Sequence, residues 1–234
     1  PYLTDATPGL YGTLWQSTAL ALPGSPYAVA GDLTVAPGVT LTIPAGVTLT
    51  FATTDVMGAG LDTGRAEFQI AGTLLADATP ASPINLTSAS PSPGTWYGLE
   101  FLASATGAVV DNVVVSYPVR GLSLAATGAN ALSAITVQSA SQYGLYASAG
   151  APTVDGLVAI SAASVGAVVD AAASLTLTNC VLRNNGGYGI QFAPTAAGRA
   201  LTVTNCSINA NGSYGIRSLA SSAGTVTVTN SIIT

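Results

Sequence analysis

One string of sequence occurs twice in the chain and begins a third time: LTLTNCVLRNNGGYGI at residues 175–190, LTVTNCSINANGSYGI at 201–216 and VTVTNSIIT at 226–234. The second copy follows the first by 26 residues. An internal repeat of roughly 20 to 50 residues is typical of solenoids, in which each unit buries its apolar face only against its neighbours. The repeat therefore predicts a solenoid.

Glycines extend the repeat backwards over about half of the chain. They are spaced by 23, 23, 22, 23 and 26 residues: Gly98, Gly121, Gly144, Gly166, Gly189 and Gly215. Apolar residues follow at the first and third positions, as in Leu99 and Phe101. A second apolar column precedes the glycines by ten to twelve residues and continues past the last one: Val109, Leu132, Val154, Leu177, Val203 and Val228. Period two indicates strands, because a helix would need apolar residues three and four positions apart.

The strands return to the same face after each repeat, so they must lie parallel, and crossovers between parallel strands are right-handed in nearly all proteins. The sequence predicts an all-β fold, a single-stranded right-handed parallel β-helix with coils of 22 to 26 residues. A leucine-rich repeat would have a helix or 3₁₀ turn where this chain has GYGIQF. We expect an amino-terminal cap over residues 1–26 and one continuous domain over 27–234, regular from residue 96 onwards.

Composition limits the partners. The chain is 49% apolar and 6% charged, and five arginines stand against ten carboxylates, with no lysine or histidine. Phosphate binding needs clustered positive charge, so nucleic acid is not an expected partner. The apolar stretch at 156–175 contains Asp170 and lacks the ~18 consecutive apolar residues of a membrane span. A sequence this poor in charge and rich in Thr, Ser, Ala and Gly favours an extracellular or cell-surface location.

Residues 15–101 carry three motifs in order: WQSTALALPGSPYAVAGDLTVAPGVTLTIPAGVTLTF, FQIAGTLLADATPASPINLTS and PGTWYGLEF. This order resembles the entry region of secreted bacterial right-handed parallel β-helix repeat proteins, within the pectate-lyase-like solenoid superfamily. The resemblance covers nearly the whole chain and implies the fold. Its motifs specify architecture and not chemistry, because that group includes pectate lyases, polygalacturonases, alginate epimerases, phage tailspikes and adhesins.

Two function classes stay open. The chain is either a non-catalytic extracellular module (spacer, adhesin or fibre segment) or a carbohydrate-active or carbohydrate-binding β-helix with a polysaccharide partner. The resemblance implies that an enzyme would stack acids in register. Counted from the glycines, Glu100 aligns with non-acidic residues and Asp111 lies one residue out of line from Asp155. Catalytic carboxyl pairs need separations of about 5 to 9.5 Å, so the sequence favours the non-catalytic class.

The longest departure from the strand pattern is ATTDVMGAGLDTGRAEF, residues 52–68. It gathers Asp55, Asp62 and Glu67, with Arg65 among them. Oxygen ligands on a flexible loop suit Ca²⁺, although the spacing is not that of an EF-hand. We therefore expect either a calcium site formed by these three acids or a plain solvated loop over the first coils, and no other cofactor.

Two polar columns face outward in the predicted coils. One consists of paired threonines: Thr176 with Thr178, Thr202 with Thr204, and Thr227 with Thr229. Threonine suits strands, and regular threonine arrays also resemble ice-binding surfaces, which is a minor alternative function. The other column consists of tyrosines interrupted by Arg120 and Val165, and it predicts either sugar contacts or ordinary packing: Tyr97, Tyr143, Tyr188 and Tyr214.

The repeats also predict which residues stack inside. We expect two buried ladders, one of Leu177, Val203 and Val228 and another of Leu182, Ile208 and Ile233. Cys180 and Cys206 should stack as buried thiols, with a disulfide as the alternative. Their column, counted from the glycines, includes Asn112, Ile135, Leu157 and Ser231. Because the last strand edge is unprotected, we expect either further repeats in a longer chain or end-to-end self-stacking, with fraying of the last coil as the alternative.

Overall fold

The chain winds into a right-handed parallel β-helix of about 10 coils with about 23 residues each, which confirms the predicted fold. The computed structural model describes residues 9–219 and 224–234. Its one helical element is a 3₁₀ turn, η1 (Leu22–Gly24). No helix in these ranges is long and apolar enough to cross a membrane.

Each regular coil contributes one strand to each of three walls, and the strands are numbered along the chain. Wall 1 is a nine-stranded sheet: β2 (Thr18–Ala19), β4 (Thr40–Thr42), β7 (Thr73–Asp77), β10 (Val109–Asp111), β13 (Ala131–Ser133), β16 (Thr153–Asp155), β19 (Leu175–Thr178), β22 (Arg199–Thr204) and β25 (Gly224–Thr229). Wall 2 contains β5 (Thr48–Phe51), β8 (Ile84–Ser88), β11 (Val113–Ser116), β14 (Thr136–Gln138), β17 (Val158–Ile160), β20 (Val181–Arg183), β23 (Ser207–Asn209) and β26 (Ile232–Ile233).

Wall 3 contains β6 (Glu67–Ile70), β9 (Gly98–Phe101), β12 (Arg120–Leu124), β15 (Tyr143–Ala147), β18 (Val165–Ala171), β21 (Ile190–Pro194) and β24 (Ile216–Ser218). Two strands, β1 (Leu10–Leu14) and the nine-residue β3 (Tyr27–Val35), bend across the corner between walls 2 and 3. Because β1 pairs with β3, residues 10–14 already belong to a coil. Residues 1–8 lie outside the described residues, and a capping role for 1–26 stays a prediction.

The two predicted inward ladders are confirmed in register. Leu177 pairs with Val203 and Val203 with Val228, while Leu182, Ile208 and Ile233 pair in the same way on wall 2. The inner members of both ladders are fully buried. Val228 and Ile233 are 42% and 40% exposed, because no described coil covers them.

One coil departs from the predicted register. Val110, not Val109, pairs with Leu132 and points inward, and Val109 is exposed. The cause is the corner after β11, where Tyr117 takes a left-handed φ of 64° before Pro118. This corner reaches the next glycine in one residue fewer than the corner of the following coil. Counting back from the glycine therefore displaced the prediction by one position.

The cysteine column is shifted in the same coil. Val113 and not Asn112 pairs with Ile84 and stands in line with Ile135, Leu157 and Cys180. Asn112 instead forms the corner between walls 1 and 2 with φ 52°. Asparagine tolerates this left-handed conformation, and the same corner is formed further along the chain by Asn179, Asn205 and Asn230.

Candidate functional site

Three acidic side chains are buried against wall 3. Asp32, Glu67 and Glu100 are 3%, 0% and 2% exposed and come from β3, β6 and β9, which are neighbours in the wall. Asp32 and Glu67 are neighbours across β3 and β6, because each directly precedes one member of a register pair of core residues. Glu100 pairs with Gln69. We name them the carboxyl cluster. Asp32 and Glu67 are stacked acids that lie before the regular repeats, whereas Glu100 is aligned with a non-acidic residue, as the sequence predicts.

Hydrogen bonds connect two members of the carboxyl cluster. The Glu67 backbone N–H donates to Asp32 Oδ1 over 2.9 Å, and Gln69 Nε2 donates to Glu67 Oε2. Glu100 differs, because neither of its buried carboxyl oxygens has a hydrogen-bond partner among the described residues. The hydroxyl of its register partner Ser123 is buried and unpaired as well. The buried polar atoms without hydrogen-bond partners in this part of the wall are therefore those of Glu100 and its register partner.

A covering loop, residues 52–66, lies over the cluster. Its Asp62 N–H donates to Glu67 Oε1 over 2.6 Å. Gly60 adopts φ +73°, and a Cβ there would overlap the Glu67 carboxylate and lie 2.9 Å from Asp32 Oδ2. Arg65 Nε donates to the Gly94 carbonyl over 2.7 Å. The loop backbone thus packs directly on two of the three buried carboxyls.

Burial controls the ionisation of the cluster. Loss of hydration, together with the nearby Glu67 carboxyl, raises the pKa of Glu100 to about 8, and Arg120 opposes this shift. The same cause raises the pKa of Asp32 to about 6. Burial also raises the pKa of Glu67, against the hydrogen bonds that it accepts. Burial therefore shifts all three carboxyls towards the protonated, uncharged form.

The three acids predicted to bind calcium do not share one role. The Asp55 carboxylate accepts backbone N–H bonds from Asp32 over 3.3 Å and from Met57 over 2.9 Å. Asp62 Oδ2 pairs with Arg65 over 2.6 Å, and only Glu67 belongs to the carboxyl cluster. No three Asp, Glu, His or Cys side chains in the described ranges are grouped to hold a metal ion. Calcium binding by Asp55, Asp62 and Glu67 stays a prediction.

The tyrosine column lies along the outer side of wall 3, although Tyr97 is buried, with 9% of its surface exposed. Arg120 pairs in register with Tyr143, and its guanidinium carbon lies 5.8, 5.6 and 4.3 Å from the ring centres of Tyr97, Tyr143 and Tyr146. Further along the wall, the rings of two more tyrosines stack at 6.0 Å and Arg217 lies 4.9 Å from one of them. We name this set the tyrosine–arginine face: Tyr97, Arg120, Tyr143, Tyr146, Tyr188, Tyr214 and Arg217.

A second row of acids runs along the outside of wall 1. Asp77 pairs with Asp111, Asp111 with Ser133, and Ser133 with Asp155. The predicted offset between Asp111 and Asp155 is therefore wrong, for the same reason that displaced Val109. The Ser133 hydroxyl and Asn112 Nδ2 both donate to the Asp111 carboxylate over 2.6 Å. Asp77 and Asp155 are exposed.

A family model described as "Right handed beta helix region" matches residues 97–234, which is more than half of the chain. The chain belongs to the right-handed β-helix family. The crystal structure of the periplasmic alginate epimerase AlgG has a similar fold, with 10% identity, a TM-score of 0.46, and coverage of 88% of this chain and 69% of that one. A double mutant of that enzyme gives 12%, 0.48, 86% and 62%. No curated protein matches the chain.

An open groove of about 670 Å³ lies beside the wall 1 acids of this β-helix. Three of its lining residues, Val109, Ala131 and Thr153, face outward from wall 1. Each lies two residues before Asp111, Ser133 or Asp155 on the same strand. The full lining is Gly107–Val109, Ala126–Ala131 and Ala151–Thr153. The predicted threonine rows continue these two columns from β19 to β25. The column that contains Thr153 spans four coils before giving way to Ala131 and Val109, and the other spans three coils before Asp155, which limits any flat threonine surface.

Proposed function

We propose that this β-helix is a non-catalytic extracellular or cell-surface module, an adhesin or rigid spacer, that contacts polysaccharide through the tyrosine–arginine face. The observation that carries the proposal is Arg120, whose guanidinium carbon lies within 5.8 Å of three tyrosine ring centres. The low charge and the parallel β architecture support the extracellular location, because both suit a rigid surface component.

The chemistry of this face suits a sugar. Aromatic rings offer an apolar surface to the C–H groups of a sugar ring, and their hydroxyls bond to its rim. A guanidinium has five N–H donors. Among the described residues, Arg120 gives one of them, Nε–H, to Gln142 Oε1 over 3.4 Å. The other donors are oriented by the surrounding rings and serve sugar hydroxyls or carboxylates.

The face also repeats along the long axis of the molecule. Tyr188, Tyr214 and Arg217 lie on the same wall as Arg120, several coils further on. Neighbouring coils are about 4.8 Å apart, so the two groups of aromatic and arginine side chains follow one line along the wall. A linear polymer with repeating units fits such a surface better than a small isolated ligand does.

Binding to a panel of neutral and acidic polysaccharides tests the proposal. We expect Arg120→Gln to weaken binding of any polysaccharide in the panel that the wild-type protein binds by about tenfold, which is about 1.4 kcal/mol. Arg183→Gln is the matched control, because Arg183 is exposed on wall 2, away from the face. Equal affinity of the two variants, or no binding by the wild-type protein, rules the proposal out.

A second candidate is glycoside cleavage on wall 1. Asp77 and Asp111 are register partners on adjacent strands, and such strands lie about 4.8 Å apart. Retaining glycosidases hold two carboxyls about 5 Å apart. Product release from the same polysaccharides, abolished by Asp111→Asn, would favour this candidate over the non-catalytic module.

A further inference from the structure

A threonine and a glutamine face each other on the outer side of wall 3, next to the carboxyl cluster. Thr34 in β3 pairs in register with Gln69 in β6, and buried core pairs hold the register on both sides. The Thr34 hydroxyl donates to Gln69 Oε1 over 3.0 Å. Gln69 Nε2 donates to Glu67 Oε2. The amide therefore presents its carbonyl group to a hydroxyl and its nitrogen to a carboxyl group.

Another register pair of a hydroxyl and an amide in this chain is built differently. On wall 2, Ser116 pairs with Gln138, and Gln138 Nε2 donates to Ser116 Oγ over 2.9 Å. That hydroxyl oxygen faces the nitrogen of the amide and not its carbonyl group. No carboxyl group in the described ranges bonds to the Gln138 side chain. Of the two pairs, the one on wall 3 therefore combines a nucleophile, a carbonyl group and a group that carries protons.

We propose that Thr34 and Gln69 react to form an ester cross-link between β3 and β6. Thr34 Oγ1 bonds to Gln69 Cδ, the Cδ–Nε2 bond breaks, and the nitrogen leaves as ammonia. The hydroxyl proton ends on that nitrogen, and Glu67, which contacts the nitrogen, relays it there from the adduct. The hydroxyl and the amide supply every atom of the products, so the step needs no oxidant and no second reactant.

Position and burial both favour this reaction. Two groups held in contact by a strand ladder react as if one were present at an effective concentration of up to about 10⁵–10⁸ M. Gln69 and Thr34 are half-buried, and the neighbours of Gln69 in β6 are fully buried, as is its other register partner, Glu100. Restricted access of water slows hydrolysis of an ester once it has formed.

The cross-link closes a covalent ring over residues 34–69, which contains the covering loop. The chain has no lysine that could form an amide link to another side chain, and its two cysteines are free. A link between distant residues restricts the unfolded chain, as a disulfide does. The ester therefore gives the first coils a covalent tie, which goes beyond the proposed function.

Peptide mass mapping of the purified wild-type chain after unfolding and trypsin cleavage tests the cross-link. Cleavage after Arg65 separates Thr34 from Gln69, so an ester leaves the two peptides joined and lighter than their sum by one ammonia molecule. Alkaline hydroxylamine, which cleaves esters, should separate them. Thr34→Val should abolish the joined pair, and Thr34→Ser should retain it. Ser116→Ala is the matched control and should leave it unchanged.

Glu67→Gln removes the relay and should slow growth of the joined fraction after synthesis by about a hundredfold. An unchanged rate overturns the relay step.

Three outcomes overturn the cross-link itself: separate wild-type peptides at their full masses, a joined pair that persists in Thr34→Val, or loss of ammonia without a joined pair. The wild-type masses need no variant, so the test holds even if a variant fails to fold. Polysaccharide binding has no part in this measurement, so failure of the cross-link is distinguishable from failure of the proposed function.

Discussion

Cys180 and Cys206 lie one above the other in the inward column before β20 and β23, and both thiols are free and buried. The Cys180 N–H donates to Cys206 Sγ over 3.3 Å. The hydrogen bond with Cys206, together with burial, raises the pKa of the Cys180 thiol. We expect no reaction with a thiol reagent in the native protein at pH 7 and two reactive thiols after unfolding without reductant. A count of zero after unfolding would mean a disulfide.

Gly144 shows at the same residue scale why the repeat keeps glycine at this position. A Cβ there would lie 2.5 Å from the Gly166 carbonyl oxygen and 2.8 Å from the Ala159 Cβ. The neighbouring coil would have to move, so we expect Gly144→Ala to lower the free energy of unfolding by about 1–3 kcal/mol in urea titrations. Gly64→Ala is the control, since its Cβ would meet only Asp62 Oδ1 at 3.4 Å. Equal effects would contradict this packing account.

At the scale of strands, the wall 2 ladder offers two positions that both pair with Ile208 and differ in burial. Leu182 is enclosed by coils on both sides, whereas Ile233 is 40% exposed. Leu182→Ala should cost about 2–5 kcal/mol of unfolding free energy, and Ile233→Ala should cost less than about 1 kcal/mol. Thermal unfolding of both variants measures the difference. If the Ile233 variant matched the Leu182 variant, another molecule or a further coil would be covering the last strand.

The strands themselves were predictable, because period two and the glycine spacing are properties of the local sequence. The register of 109–116 was not, since a single shorter corner at Tyr117 and Pro118 moves every earlier residue by one position. That one position hid the alignment of Asp111 with Asp155. Counting from the asparagine corner at Asn112 instead would have found it, because that corner keeps its distance from the inward valines.

The carboxyl cluster could not be predicted from the sequence, for a different reason. The loop pattern gathered Asp55, Asp62 and Glu67 as neighbours in the chain, but burial pairs Glu67 with Asp32 from the preceding coil. The glycine repeat correctly aligned Glu100 with Ser123. Nothing local indicated that the covering loop folds back over Asp32 and Glu67, because that contact depends on tertiary packing and not on periodicity.

At the scale of the whole molecule, stability is distributed coil by coil. Each coil of a solenoid contacts only its neighbours, so a local change in charge acts on nearby coils and not on the entire stack. The buried acids occur only between β3 and β9 in the described ranges, and the buried polar residues of the later coils, Ser116 and Asn185, are uncharged. Asn185 is held by an amide hydrogen bond of 2.9 Å to Asn211. A change of pH should therefore alter the stability of the coils up to β9 more than the stability of the later coils.

This asymmetry predicts how pH changes global stability. Glu100 and Asp32 have raised pKa values of about 8 and about 6 in the folded state, so folding takes up protons between about pH 4 and 8. Stability is then greatest in acid and declines as pH rises, at about 1.4 kcal/mol per unit of pKa shift, or a few kcal/mol in total. Hydrogen exchange under mild denaturant should show this loss in residues 27–101 and spare residues 131–219. A uniform loss along the chain, or stability that rises towards pH 8, would contradict it, because only the first of these segments contains buried carboxyls.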